Sequence, residues 1–72
     1  MNTITIYKSD SCGACATVVP LITRLARKKG VSVNIVDVDD CGKKCDNIKY
    51  VPFIEVDGHK MNDLSKLANM LR

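Results

Sequence analysis

The chain has 72 residues, 46% of them hydrophobic and 26% charged, with a net charge of +3. That balance fits one small globular domain spanning 1–72 and argues against disorder; at this length only about 60% of the unfolded surface can be buried, so the core must be thin. The charge is small and scattered, with no stripe of Arg and Lys interleaved with aromatics, so no nucleic acid partner is expected.

Met1 to Tyr7 alternates, with Ile4 and Ile6 as its apolar members, and predicts a strand. Lys8 to Ser11 is polar and turn-like, and Ser11 is placed to cap a helix that starts just after it. From Gly13 the period changes. Cys15, Val18, Val19, Ile22, Leu25 and Ala26 recur at three- and four-residue spacing, as on one face of a helix. Arg24, Arg27, Lys28 and Lys29 gather near its end, where cations suit the dipole, and Gly30 is a natural stop. Pro20 falls inside this helix and is expected to kink it.

Val31 to Asp37 alternates again and predicts a second strand, parallel to the first through a helical crossover. Asp39 to Lys49 is charged and cysteine-bearing, a loop or one or two helical turns begun by Asp39 or Asp40. Tyr50 to Val56 predicts a third strand with Pro52 near its start, Asp57-Gly58 a hairpin turn, and His59 to Met61 a short antiparallel strand. Asn62 or Asp63 caps a last helix with Leu64, Leu67, Ala68 and Leu71 on its apolar face. The result is an α/β chain: a four-stranded mixed sheet, βαβ then ββα, with helices packed on its faces.

The chemistry centres on Cys12-Gly13-Ala14-Cys15, which opens the first helix. Backbone N–H groups and the dipole at a helix start favour a thiolate, and such placement brings a cysteine from about 8.5 down to roughly 3.5–7.5. Cys12 is the expected nucleophile and Cys15, one turn inward, the resolving thiol; Lys8 is a candidate for tuning the pair. The two-residue spacing lets both sulfurs meet on one turn. Cys41 and Cys45 leave three alternatives open: two free thiols, a disulfide that staples their segment, or a second redox pair. At i, i+4 spacing the Cα atoms stand about 6 Å apart, within disulfide range.

These residues resemble the thioredoxin and glutaredoxin superfamily in a minimal, glutaredoxin-sized form. The resemblance rests on the strand leading into Cys12-Gly13-Ala14-Cys15, on Pro20 five residues after Cys15, and on Val51-Pro52 before the third strand. It covers essentially the whole chain. It implies a thioredoxin-like fold and a protein-disulfide oxidoreductase, with Val51 and a cis Pro52 holding the substrate backbone. It further implies protein disulfides as substrates, a flavoprotein disulfide reductase or a small thiol as electron source, and neither cofactor nor metal. Several positions depart from the family. Ser11 stands where thioredoxins usually have Trp, Ile6 where they bury a carboxylate, and Met61-Asn62 where glutaredoxins hold glutathione with Gly-Gly. Gly13-Ala14 matches neither group's central dipeptide, and the segment between the second and third strands is short.

Two other classes are open to these residues. One is a redox-regulated binding protein without turnover. The other is a zinc module using Cys12, Cys15, Cys41 and Cys45, although the gap between the pairs exceeds the usual zinc-ribbon spacing. The N-terminus lacks the basic and apolar regions of a secretory signal, and no apolar run approaches the roughly 18–20 residues that span a bilayer, so a cytoplasmic monomer is expected. His59 is expected on the surface, and Lys43, Lys44 and Lys49 form a candidate basic rim.

Overall fold

A computed structural model describes residues 2–61 and 63–71, and all of their side chains except that of Lys44. The element order is β1 (Thr3–Lys8), α1 (Gly13–Lys28), β2 (Ser32–Asp37), a 3-10 turn (Gly42–Cys45), β3 (Phe53–Val56), β4 (His59–Lys60) and α2 (Leu64–Leu71). The strands form one mixed sheet in the order β2-β1-β3-β4. β1 runs parallel to β2, with Ile6 opposite Ile35, and antiparallel to β3, with Ile6 opposite Ile54. β4 closes the far edge against β3.

Alternation along β1 sends Ile4 and Ile6 to one face, where both are fully buried. Val18, Ile22 and Ala26 of α1 and Leu67 and Leu71 of α2 join them with Ile54 in a single cluster. Both α-helices therefore cover the same face of the sheet. On the opposite face no α-helix lies between β2 and β3, because the chain there is reduced to the 3-10 turn. Aromatic and polar pairs occupy it instead. The Tyr7 ring meets Phe53 edge-on at 5.7 Å, its hydroxyl donates to Glu55 at 2.8 Å, and the Lys60 ammonium stands 5.6 Å from the Tyr50 ring. The bond to Glu55 raises the Tyr7 pKa above the usual phenol value.

Several boundaries differ from the sequence expectation. The helix N-cap is Cys12, whose sulfur accepts from the Cys15 amide, rather than Ser11. Tyr50, Val51 and Pro52 lie in a bend outside the ladder, and β3 starts only at Phe53; Pro52 has no N–H to contribute. The segment from Asp39 forms only the 3-10 turn, with no side chain capping it. Met1 and Asn62, assigned to the first strand and to the last helix cap, fall outside the described residues, whereas Asp63 does cap α2, accepting from Lys66 N–H at 3.0 Å. Leu64, expected on the apolar face of that helix, is exposed. No helix among the described residues is long and apolar enough to cross a membrane.

The β3–β4 turn also ties down the start of the chain. Asp57 has φ +51° and Gly58 φ +85°, a left-handed pair suited to a tight hairpin. The Asp57 carboxylate accepts from the backbone amides of Asn2 at 3.0 Å and Thr3 at 2.9 Å. Those bonds, the Thr3 amide first, hold its pKa below the ordinary carboxylate range. The stabilisation is then complete above the unfolded value of about 3.9 and is lost as pH falls through the lower folded value. Asp57→Asn, which keeps the shape and tolerates positive φ, is expected to lower the thermal midpoint at neutral pH. Its deficit against the parent chain should shrink in acid, as followed by circular dichroism melts across pH.

Candidate functional site

The site lies where β1 and β2 end together and α1 begins. Parallel strands deliver their carboxyl ends to one edge, and loops leaving that edge are where α/β sheets place ligands. The loop after β1 is held from within. Ser9 is buried at 7% exposure, and its hydroxyl donates to Asp39 Oδ2 at 2.8 Å. That commits its one proton, so the Ser11 hydroxyl, 2.9 Å away, donates to Ser9 Oγ. The Ser9 carbonyl accepts from Cys12 N–H at 3.1 Å. Ser9 thus links the loop after β2 to the residue that starts α1.

Cys12 is half-buried, and its Sγ accepts from Cys15 N–H at 3.2 Å. The positive end of the α1 dipole points at this sulfur. Cys15 is 3% exposed on the inner face of the first turn. Burial pushes its thiol pKa up, and a hydrogen bond to Cys12 adds to the rise; the Ser9 backbone amide and the Lys8 charge oppose it. The two thiols therefore differ in access, and burial makes Cys15 harder to ionise than an ordinary thiol. A cavity of about 270 Å³ is lined by Cys12 and Cys15 together with Lys8, Ser9 and Asp10.

Lys8 thus reaches the site, but its ammonium is already engaged. It contacts Asp10 at 2.8 Å and Asp37 at 3.3 Å, and these bonds raise its own pKa. Asp37 in turn accepts from Asp39 N–H at 2.9 Å; this bond, and Lys8 after it, hold its pKa down. The Lys8–Asp37–Asp39–Ser9 chain has no signature in the sequence. Ser9 reads there as part of a polar turn, and Asp39 as part of a loop or the start of a helical turn.

On the other side of Cys12 a groove of about 460 Å³ is lined by Ser9, Ser11, Val38, Ile48, Lys49, Tyr50 and Val51. Val51 and Cys12 face the same space, and the Val51–Pro52 peptide bond is cis. Of the basic rim, Lys49 lines this groove and Lys43 is exposed in the 3-10 turn, while the Lys44 side chain lies outside the described residues. His59 is exposed on β4.

Cys41 and Cys45 are joined by a disulfide, with Cα atoms 5.7 Å apart. They bracket the 3-10 turn, while Cys12 and Cys15 are free thiols. The four-thiolate zinc arrangement is therefore not assembled, and among the described residues no three metal-ligating side chains converge.

The fold is similar to that of several solved structures. Thioredoxin 1 from the thermophilic eubacterium Thermosipho africanus superposes with a TM-score of 0.77 at 18% identity, over 96% of this chain and 89% of that one. A point mutant of thioredoxin from Halobacterium salinarum gives 0.72 at 22% identity, covering 96% and 70%. Oxidised thioredoxin from Plasmodium falciparum gives 0.67 at 19% identity, covering 96% and 76%. No family model and no curated protein matches the sequence. At these identities the likeness establishes the fold: this chain is a thioredoxin-fold protein carrying a pair of adjacent cysteines at the start of its first helix.

Two outcomes are expected from this geometry. Limited alkylation of the reduced native protein should modify Cys12 well before Cys15, as read by peptide mass mapping; equal rates would contradict the burial difference. Cys41→Ala together with Cys45→Ala removes a short cross-link, which the chain-entropy treatment values at about 2 kcal/mol. Denaturant unfolding should register that loss while the order of alkylation stays the same.

Proposed function

We propose that this protein is a thiol–disulfide oxidoreductase that reduces or exchanges protein disulfides through Cys12 and Cys15. The observation that carries the proposal is the asymmetry of the pair. Cys12 is accessible and receives a helix-terminal N–H, while Cys15 waits buried one turn behind it. A site for thiol exchange needs an attacking sulfur that a large substrate can reach and a second sulfur that it cannot.

The reaction balances with the chain's own residues. The Cys12 thiolate attacks one sulfur of a substrate disulfide; that S–S bond breaks, a Cys12–substrate mixed disulfide forms, and the released substrate thiolate takes up a proton. Cys15 then loses its proton and attacks Cys12 Sγ. The mixed disulfide breaks, the second substrate thiolate leaves, and a Cys12–Cys15 disulfide remains. Two electrons have passed to the substrate. A flavoprotein disulfide reductase or a small thiol returns them. Val51 and Pro52, beside the groove that Cys12 faces, hold the substrate backbone in this scheme. Lys8 supplies positive charge to the cavity, reduced by its two carboxylate partners.

The raised pKa of Cys15 sets a pH dependence. At neutral pH this thiol is mostly protonated, so resolution of the mixed disulfide should accelerate as pH rises toward that value. Stopped-flow release of a thiol product from the mixed disulfide checks the sign.

The defining test is turnover of insulin disulfides with dithiothreitol as donor. The parent protein is expected to turn over, Cys12→Ser to fall to background, and Cys15→Ser to accumulate a mixed disulfide visible by mass spectrometry. Full activity in Cys12→Ser would sink the proposal. No turnover by a folded parent protein with both thiols titratable would point instead to a redox-regulated binding protein.

A further inference from the structure

The outer edge of the sheet, beside the last turns of α1, has a character unrelated to thiol chemistry. β2 is an edge strand. Its inward amides are identified by the bonds at its two ends, Ser32 N–H to Asn2 O at 3.1 Å and Val38 N–H to Lys8 O at 2.9 Å. Peptide groups alternate along a strand, so those of Ser32, Asn34 and Val36 face β1, and those of Val33 and Ile35 face outward. The outward groups form an open ladder, ready to pair with another strand.

Beside this ladder runs a groove. One part, of about 560 Å³, is lined by Val19, Pro20 and Ile35 and by the cations Arg24, Arg27 and Lys28. A second part, of about 530 Å³, continues along Val31 and Val33, with Thr23, Arg27 and Ile35 common to both. Ile35 is 47% exposed although its partner across the ladder, Ile6, is fully buried. Arg24, Arg27 and Lys28 are all exposed, and among the described residues none has an acidic partner within ion-pair distance. The dipole accounts for cations in the last turn, Arg27 and Lys28, but Arg24 sits a turn earlier.

We infer that the β2 edge and this groove dock an extended acidic segment of a partner protein, added to the sheet as a further strand. The ladder supplies main-chain bonds, Ile35 and Val33 take alternate apolar side chains, and Arg24, Arg27 and Lys28 take carboxylates. Charge selects this occupant. A second copy paired edge to edge would bring the same cations toward one another. A nucleic acid would meet an apolar lining with no aromatic ring on which to stack a base. Val19 and Pro20 also line the cysteine cavity, so the docked segment would approach the thiols from the side away from Val51.

The test uses the whole isotope-labelled protein and a short synthetic peptide of alternating valine and glutamate. Saturable shifts of the Val33 and Ile35 amides are expected, weakening as salt is added. Arg24→Glu with Arg27→Glu should cut the affinity about tenfold, as expected when exposed ion pairs become repulsive. Reduction of a small generic disulfide should be unchanged in that variant, which shows that it is folded. Ile35→Pro removes an outward N–H and no ladder bond to β1, and should abolish binding. The proposal is overturned by any of four results: no saturable shift at β2, shifts confined to the groove around Cys12 and Val51, tighter binding of a single-stranded oligonucleotide than of the peptide, or a β2-edge dimer in sedimentation that excludes the peptide.

Discussion

β1 is hydrogen-bonded on both sides, and the rest of the molecule is placed from it. Its even-numbered residues put Ile4 and Ile6 under both helices, and its parallel and antiparallel partners are set in register by those same positions. Its last residue, Lys8, leads into the loop that ends at Cys12. A register slip of one residue would turn Ile4 and Ile6 to the face that no α-helix covers and would carry Lys8 away from Asp37. The pattern that specifies the core therefore also positions the thiols.

The polar cluster under the loop extends that control from β1 to β2. Lys8 with Asp37, and Ser9 with Asp39, join the ends of two parallel strands that are far apart in sequence. Ser9 is the only polar residue among those described that is buried, and every hydrogen-bonding atom that is buried in a described side chain has a partner. A satisfied buried network of this kind fixes geometry more than it adds stability. What it fixes is the loop from which the Cys12 amide donates to Ser9.

Much of this was legible in the sequence because it is periodic. Alternation marked β1 and β2, and three- and four-residue spacing marked the buried face of α1 down to Cys15, Val18, Ile22 and Ala26. The cap was harder, because Ser11 and Cys12 both carry acceptors. The structure uses Ser11 to bond Ser9, which leaves the sulfur to cap the helix. Tyr50 and Val51 have strand propensity, yet they sit in the bend before Phe53, where the Tyr50 ring packs at a tilt against Phe53 and Val51 lines the groove at Cys12. Propensity is a local preference, and here contacts made through the fold outweigh it. The Ser9–Asp39 bond was invisible for the same reason: nothing local to either residue names the other. Val51 and Pro52 enter as candidate substrate-backbone residues only through the superfamily resemblance, and nothing local to either residue names Cys12 as a neighbour.

The size of the chain gives these assignments a further meaning. A thin core on one face of a four-stranded sheet leaves no element whose sole task is to support the site. Cys15 belongs to the buried face of α1 as well as to the dithiol, and Ser9 is both a loop residue and a buried strut. In the proposed reaction Cys15 must ionise, which its burial opposes, and then bond to Cys12 only three residues away. The same packing that protects Cys15 from a bulky substrate thus disfavours its thiolate. Selectivity between the two sulfurs and the ease of resolution are coupled through one buried helical turn, and the Lys8 charge, which opposes the effect of burial on Cys15, acts on the second from outside the core.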